Sequence, residues 1–447
     1  MGWSWYYLIP LIYFAAMIYL GVAISSKQET RSDFYVASNK MNSGVLFATI
    51  FSTVIGANVF MGFSGMIYSA GFSQIWFLSA AGLGYFLLFF ISGKLRRVAF
   101  QYNIFTLPDM MELRYSKTVA LLTTAFSLIA LIGMAGGSIL GVGVILNSIL
   151  GIDITLAIII TSAVTIIYTS FGGIMGVALT DYVQSIIMVL GVVLVITFGL
   201  TVITGDINFF TAAKGGVSVL EQTLGSQQLN LTSGITIFLV IGWVVTFMPL
   251  NTISQTQLQR VYAAKNEKTI QRISLMMVLM NSIFMCFGLA LVGMLGKMLM
   301  PGLENPETVF PMMALEVINP FLGMIVVTGI LAAAMSTVDS SLLGAGIHVS
   351  RDLYERYQKD KAKISDQSSL KITRVTIVII GVISTLAAII TPSIMDLLLT
   401  TMQIFAGATF IPVLLGIFWK RANAYGAMLG MILGGISTIY AEIVPQL

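Results

Sequence analysis

Charge is what this chain has least of. Only 9% of its 447 residues are Asp, Glu, Lys or Arg, against roughly 25% in a soluble domain, so the chain is not built to face water all round. It has one cysteine, Cys286, which excludes an intrachain disulfide and, in an apolar run, reads as packing. It has one histidine, His348, at the end of an apolar segment, which leaves nothing for a multi-histidine metal centre. No charged leader or cleavage pattern precedes Trp3, so the first apolar segment is expected to stay in the mature protein. The net charge of +4 comes from loop residues and points to no nucleic-acid partner. What fills the chain is apolar: 57% hydrophobic residues and a mean hydropathy of +0.94. The class that follows is an all-α polytopic membrane protein, with the lipid bilayer as its first partner.

Spans of about 20 apolar residues are needed to cross a bilayer. The sequence places them near 4–24, 43–70, 73–95, 119–149, 152–171, 178–204, 232–252, 270–299, 318–347, 372–391, 393–418 and 424–443, about 12 transmembrane helices in a single domain over 1–447. Lys and Arg crowd one side: Lys27, Arg31, Lys40, Lys94, Arg96, Arg97, Arg260, Lys265 and the stretch Arg351–Arg374. By the positive-inside rule the N-terminus lies outside, in a cell (plasma) membrane. The loops 205–231 and 298–317 then face out. The sequon at Asn230 hugs the membrane and is taken as chance.

One stretch carries polar groups where they are costly. Within the apolar run 321–347, the sequence Leu331-Ala332-Ala333-Ala334-Met335-Ser336-Thr337-Val338-Asp339-Ser340-Ser341 holds four hydroxyls and a carboxylate. Such groups inside a membrane segment mark a site by default. Helical spacing puts Ser336, Asp339 and Ser340 on one face, with Thr337 and Ser341 beside it. No base, nucleophile and orienting group occur together, so the set suits a small hard cation. The competing reading, hydroxyls bonding back to their own helix, accounts for Thr337 but not for Asp339. Two other helices are interrupted, one by Gly56-Ala57-Asn58 and one by Gly242 and Pro249. Interrupted helices at membrane depth line cavities and point to a transporter's site when they occupy matching places in two halves. Here each opens a set of five helices, 43–204 and 232–418, flanked by 4–24 and 424–443. Five is odd, so the second set enters from the opposite side, giving a five-plus-five inverted repeat.

Four stretches, one of them inside the run just described, resemble the sodium:solute symporter family, which includes proline, pantothenate, sialic acid and sodium/galactose transporters. They are Tyr168-Thr169-Ser170-Phe171-Gly172-Gly173 with Leu179-Thr180-Asp181-Tyr182; Gln259-Arg260-Val261-Tyr262-Ala263-Ala264-Lys265-Asn266; Ala333-Ala334-Met335-Ser336-Thr337; and Gly416-Ile417-Phe418-Trp419-Lys420-Arg421. Ile174 is a conservative departure. Relatives of this kind mostly carry at least one more helix, so a natural short form or a trimmed chain is expected, with the ten-helix core complete.

The resemblance implies a LeuT-like fold, no enzyme activity, no cofactor beyond Na+ as coupling ion, and uptake of a small organic solute by alternating access, with the chain expected to function as a monomer. It implies a sodium site from the carbonyls of Ser52, Ile55 and Ala333 and the hydroxyls of Ser336 and Thr337. In some relatives Asp181, Asp339 and Ser340 match a second cation site. The substrate cavity is expected from Gly56, Asn58, Val59, Trp76, Phe77, Ser79, Trp243, Asn251 and Gln403. With no Lys or Arg expected in the membrane core, an anionic solute would rest on amides, helix N-termini or sodium. An amino acid, a small carboxylate such as pantothenate and a sugar-like solute all stay open. So do a proton-coupled symporter of the same fold, an intramembrane aspartyl protease with Asp181 and Asp339 as its dyad, and a transporter-like sensor.

Overall fold

The computed structural model describes residues 5–25, 30–56, 58–359, 364–391 and 393–443. Lys27, Ala57 and the side chain of Asn58 lie outside the described residues. Every regular element among the described residues is helical. The helices used below are α1 Leu8–Ser25, α2 Arg31–Val36, α3 Ser43–Val54, α4 Ser64–Ala70, α5 Ile75–Tyr102, α6 Leu107–Arg114, α7 Lys117–Leu150, α8 Ile154–Thr204, α9 Phe209–Leu224, α10 Ser226–Leu229, α11 Ile237–Ile253, α12 Gln255–Ala263, α13 Glu267–Leu279, α14 Cys286–Leu299, α15 Val309–Val317, α16 Pro320–Ile347, α17 Asp366–Ile390, α18 Ile394–Phe418 and α19 Ala424–Ile443.

Among the described residues eight helices are long and apolar enough to cross a membrane, and counting each of two bent pairs, α3 with Val59–Ala70 and α11 with α12, as one span brings the number to 10. α8 hides two of the expected spans. At 51 residues it would run about 76 Å as one rod, more than twice the roughly 30 Å of a hydrocarbon core. It turns back at Gly173, whose φ of 53° and ψ of −170° break the helix. A positive φ is cheap only for glycine, which explains why the second of the paired glycines sits there. The shorter apolar helix Trp5–Leu20 accounts for the remaining expected span.

α16 is the axis of the molecule. From Val326 to Ile347 every residue is buried, as expected of a helix that is apolar on all sides. α1, α3, α7, α8, α12, α15 and α17 pack around it. Two expectations about the interrupted helices fare differently. α3 ends at Val54, its C-cap Ile55 has left the helix at φ −91° and ψ 59°, and a π-helical turn, Asn58–Phe63, follows with a 55° bend. α11, however, runs unbroken through Gly242 and Pro249 and bends by 42° only at Ser254, where ψ is 150°. The break expected at Gly242–Pro249 is therefore displaced toward the chain's C-terminus. On the turn after the proline, the hydroxyl of Thr252 donates back to the carbonyls of Met248 and Pro249.

Candidate functional site

The end of α3 and the middle of α16 meet side by side. Ser336 Oγ donates to the Ala333 carbonyl at 2.7 Å and stands 3.0 Å from the Ser52 carbonyl. Thr337 Oγ1 donates to the Thr53 carbonyl at 3.0 Å. Ser52, Ile55, Ala333 and Ser336 are fully buried, and Thr337 is nearly so. Four of the five residues expected to hold sodium, Ser52, Ala333, Ser336 and Thr337, thus meet here, with two hydroxyls on one helix facing carbonyls at the end of the other; the carbonyl that Thr337 meets is that of Thr53, which was not expected, and Ile55 follows as the cap where α3 ends. All the donors are neutral oxygens, the chemistry a hard monovalent cation requires. Gly56 explains how the helices come this close: a Cβ there would overlap Thr337 Oγ1 and lie 3.5 Å from the Ala333 carbonyl.

One turn further along α16, the carboxylates of Asp181 and Asp339 are both fully buried, and here the expectation of a membrane core without Lys or Arg is overturned. The bend at Ser254 turns α12 against α3 and α16, and it carries Arg260 inside, 1% exposed. Its guanidinium stands 3.6 Å from Asp181. It also donates to Thr49 Oγ1 (3.1 Å), the Thr256 carbonyl (2.8 Å), Thr53 Oγ1 (2.5 Å) and Ser340 Oγ (2.7 Å). Asp181 further accepts from Thr49 and from Ser52 Oγ at 3.0 Å. Two of the three residues expected at a second cation site, Asp181 and Ser340, are therefore engaged by a cation the protein supplies itself. Asp339 accepts from the Tyr168 hydroxyl at 2.9 Å. Among the described residues the two carboxylates thus have separate partners, Thr49, Ser52 and Arg260 for Asp181 and Tyr168 for Asp339.

Beside the Thr337 hydroxyl lies a small cavity between α3, α5, α7, α11, α12, α16 and α18. Of the residues expected to line a substrate cavity, Gly56, Val59, Phe77 and Asn251 do so. Four others are placed elsewhere. Trp76 is 39% exposed and donates to the Leu231 carbonyl; Ser79 pairs with the Cys286 thiol. Trp243 packs edge-on behind Phe77, ring centres 5.5 Å apart, and Gln403 is a half-buried residue of α18 off the cavity wall. Sequence reasoning does not find Met134, Phe247, Met395, Leu398, Met402 or Gln257, all of which line it. The signal it could have used is the spacing of Met395, Leu398 and Met402, one face of a helix.

A model of the sodium:solute symporter family matches residues 34–434. The chain belongs to that family. This symporter is 28% identical to the sodium/pantothenate symporter of Escherichia coli K12, over 98% of this chain and 90% of that protein. It is 26% identical to sodium/proline symporter 2 of Staphylococcus saprophyticus, over 98% and 86%, and 25% identical to the osmoregulated proline transporter of Bacillus subtilis, over 96% and 87%. Among solved structures, a substrate-bound, outward-open Na+-coupled sialic acid symporter matches with a TM-score of 0.79 at 23% identity, covering 99% of this chain and 98% of that one. A nucleobase-cation-symport-1 family transporter, closed on bromovinylhydantoin, matches at 0.56 and 14% identity, over 92% and 93%. At such identities these likenesses speak for the fold, and both neighbours have the LeuT-like architecture of this symporter.

Proposed function

We propose that this multi-pass membrane protein takes up a small organic solute by sodium-coupled symport, with Na+ held by the carbonyls of Ser52, Ile55 and Ala333 and the hydroxyls of Ser336 and Thr337. The observation that carries the reading is the pair of hydroxyls on α16 that reach the Ser52 and Thr53 carbonyls at the broken end of α3. An ion there ties the two inverted repeats, 43–204 and 232–418, together, so that its arrival and departure bias alternating access. One sodium accompanies each solute, because Arg260 already meets Asp181 and Ser340. The Lys- and Arg-rich side is cytoplasmic, the N-terminus is outside, and the chain works as a monomer in the plasma membrane. That the relatives are transporters supports a transport role over an enzymatic one. The test is accumulation of a labelled solute panel in proteoliposomes under an imposed sodium gradient, with a proton gradient in potassium buffer as the comparison. Accumulation with sodium alone is expected; accumulation driven equally by protons without sodium overturns the coupling.

A further inference from the structure

On the Lys- and Arg-rich side, near the ends of α5 and α18, these two helices and α6 enclose a cleft that shares no residue with the solute cavity. Its lining is mainly apolar: Leu95 and Val98 of α5, Met110 and Leu113 of α6, Val413 and Ile417 of α18. Two bases, Lys94 and Arg114, complete it, and among the described residues no carboxylate lines it. The lack of acid has a cause in α6. Its Asp109 and Glu112 pair elsewhere, Asp109 with Arg351 at 3.0 Å and Glu112 with Arg356 at 2.6 Å, so only Arg114 of that helix's charges reaches the cleft. The two bases are oriented without being neutralised. Lys94 Nζ donates to the Ile417 carbonyl at 2.6 Å and stands 5.5 Å from the centre of the Phe418 ring. Arg114 donates through Nε to the Gly416 carbonyl and through Nη2 to the Trp419 carbonyl, each at 3.0 Å. Carbonyls leave the charge in place, and by donor count both side chains keep N–H groups for a further acceptor. Lys420 and Arg421, both exposed, add two charges on the turn that follows α18.

The surroundings place this cleft where lipid meets water. Phe90 on α5, Leu113 on α6 and Ile411 on α18 are each more than half exposed, as residues facing acyl chains are. Phe418 and Trp419, also more than half exposed, stand beside the two bases like the aromatic belt of a membrane interface. A free anion would use the bases and leave the apolar wall idle. A zwitterionic headgroup would bring its own cation to bases already there. Basic pockets between membrane helices on the cytoplasmic side are a recognised way of holding an anionic headgroup. We infer that the cleft binds an anionic phospholipid of the cytoplasmic leaflet, its phosphate between Lys94 and Arg114 and the upper part of an acyl chain against Leu95, Met110 and Val413. α5 and α18 also wall the solute cavity, through Phe77 and Met402. The lipid therefore joins two of that cavity's walls at their inner ends and stabilises the folded symporter.

The test uses the full chain, purified in detergent, with phosphatidylglycerol as the anionic probe, phosphatidylcholine as the zwitterionic one and glycerol phosphate as the free headgroup. A photoactivatable phosphatidylglycerol, cross-linked to the unaltered protein and mapped by peptide mass spectrometry, should label 94–98, 110–114 and 413–418. Excess phosphatidylglycerol should displace it, and phosphatidylcholine or glycerol phosphate should not. Phosphatidylglycerol should also raise the melting temperature. Lys94→Gln with Arg114→Gln should raise the amount needed for half-maximal protection roughly tenfold or more. Lys268→Gln with Arg272→Gln, equal in charge and on exposed residues of α13, should leave it unchanged. Because the first pair also loses bonds to α18, Val98→Trp is a second variant: it fills the cleft, keeps both bases and should remove the cross-links. Label spread evenly over the lipid-facing helices, or displaced equally by phosphatidylcholine, overturns the site. Displacement by glycerol phosphate overturns a lipid as the occupant. Equal loss of protection in the two charge-neutralised pairs reduces the effect to net charge and likewise overturns the site.

Discussion

Arg260 and Asp181 form a buried ion pair, 3.6 Å apart and 1% and 0% exposed. Their elements, α12 and α8, come from the two opposite repeats. Breaking a buried pair by removing one partner leaves an uncompensated charge and costs roughly 3–5 kcal/mol. Arg260→Gln and Asp181→Asn should therefore each lower the melting temperature of the purified protein. The double variant, with no lone charge left, should melt above the weaker single one. A double variant that falls below both singles would show that the pair is not the relevant interaction.

The same pair bears on stoichiometry. With Arg260 against Asp181 and Ser340, uptake should rise with sodium without cooperativity, and the measured sodium-to-solute flux ratio should be one. A ratio of two would mean that a second ion displaces or shares the guanidinium's place.

Two glycines give a matched contrast. A methyl group at Gly56 would overlap Thr337 Oγ1, whereas one at Gly242 meets nothing within 4 Å. Gly56→Ala should therefore raise half-saturating sodium tenfold or more, about 1.4 kcal/mol of ion binding. Gly242→Ala should transport normally and stabilise α11 by up to about 1 kcal/mol. Equal sodium dependence in the two variants would count against the close approach at Gly56.

On the side away from the basic loops, Glu307 holds a half-buried carboxyl against the backbone N–H groups of Met395 and Ile394. Burial pushes this carboxyl up to about 6 from its ordinary 4.5, and the neighbouring Asp396 adds to the rise. A raised acid keeps its proton in the docked loop and gives it up in the released one. The docked contact is thus fully stabilised below about 4.5 and loses that contribution as pH rises through about 6. Hydrogen exchange over residues 303–310, corrected for intrinsic rate, should be slower at pH 5 than at pH 7. Glu307→Gln should flatten the dependence; an unchanged profile would assign it to another group.

How much of this was legible beforehand depends on what kind of signal each residue gives. Ser336, Thr337 and Asp339 are polar groups in an apolar run, and that contradiction is visible without coordinates. The inverted repeat follows from counting spans. Arg260 was not legible as a core residue, because Gln255–Ala263 is short, rich in glutamine and reads as an exposed loop. Only the bend at Ser254 turns it inward. Met134, Met395 and Met402 were missed for the opposite reason: in a chain already 57% hydrophobic, another apolar side chain says nothing about whether it faces lipid, a neighbour or a cavity. Gly242 and Pro249 were misleading because a membrane helix tolerates both without breaking, and α11 runs on through them to Ser254.

The central claim is that sodium sits between Ser336 and Thr337 on α16 and the freed carbonyls of α3. The most direct measurement is the sodium dependence of solute uptake in proteoliposomes for Ser336→Ala and Thr337→Ala, compared with the unaltered chain at saturating solute. Loss of one oxygen ligand should raise half-saturating sodium at least tenfold in each variant, with near-normal uptake recovered at high sodium. Half-saturating sodium unchanged in both variants would contradict the account.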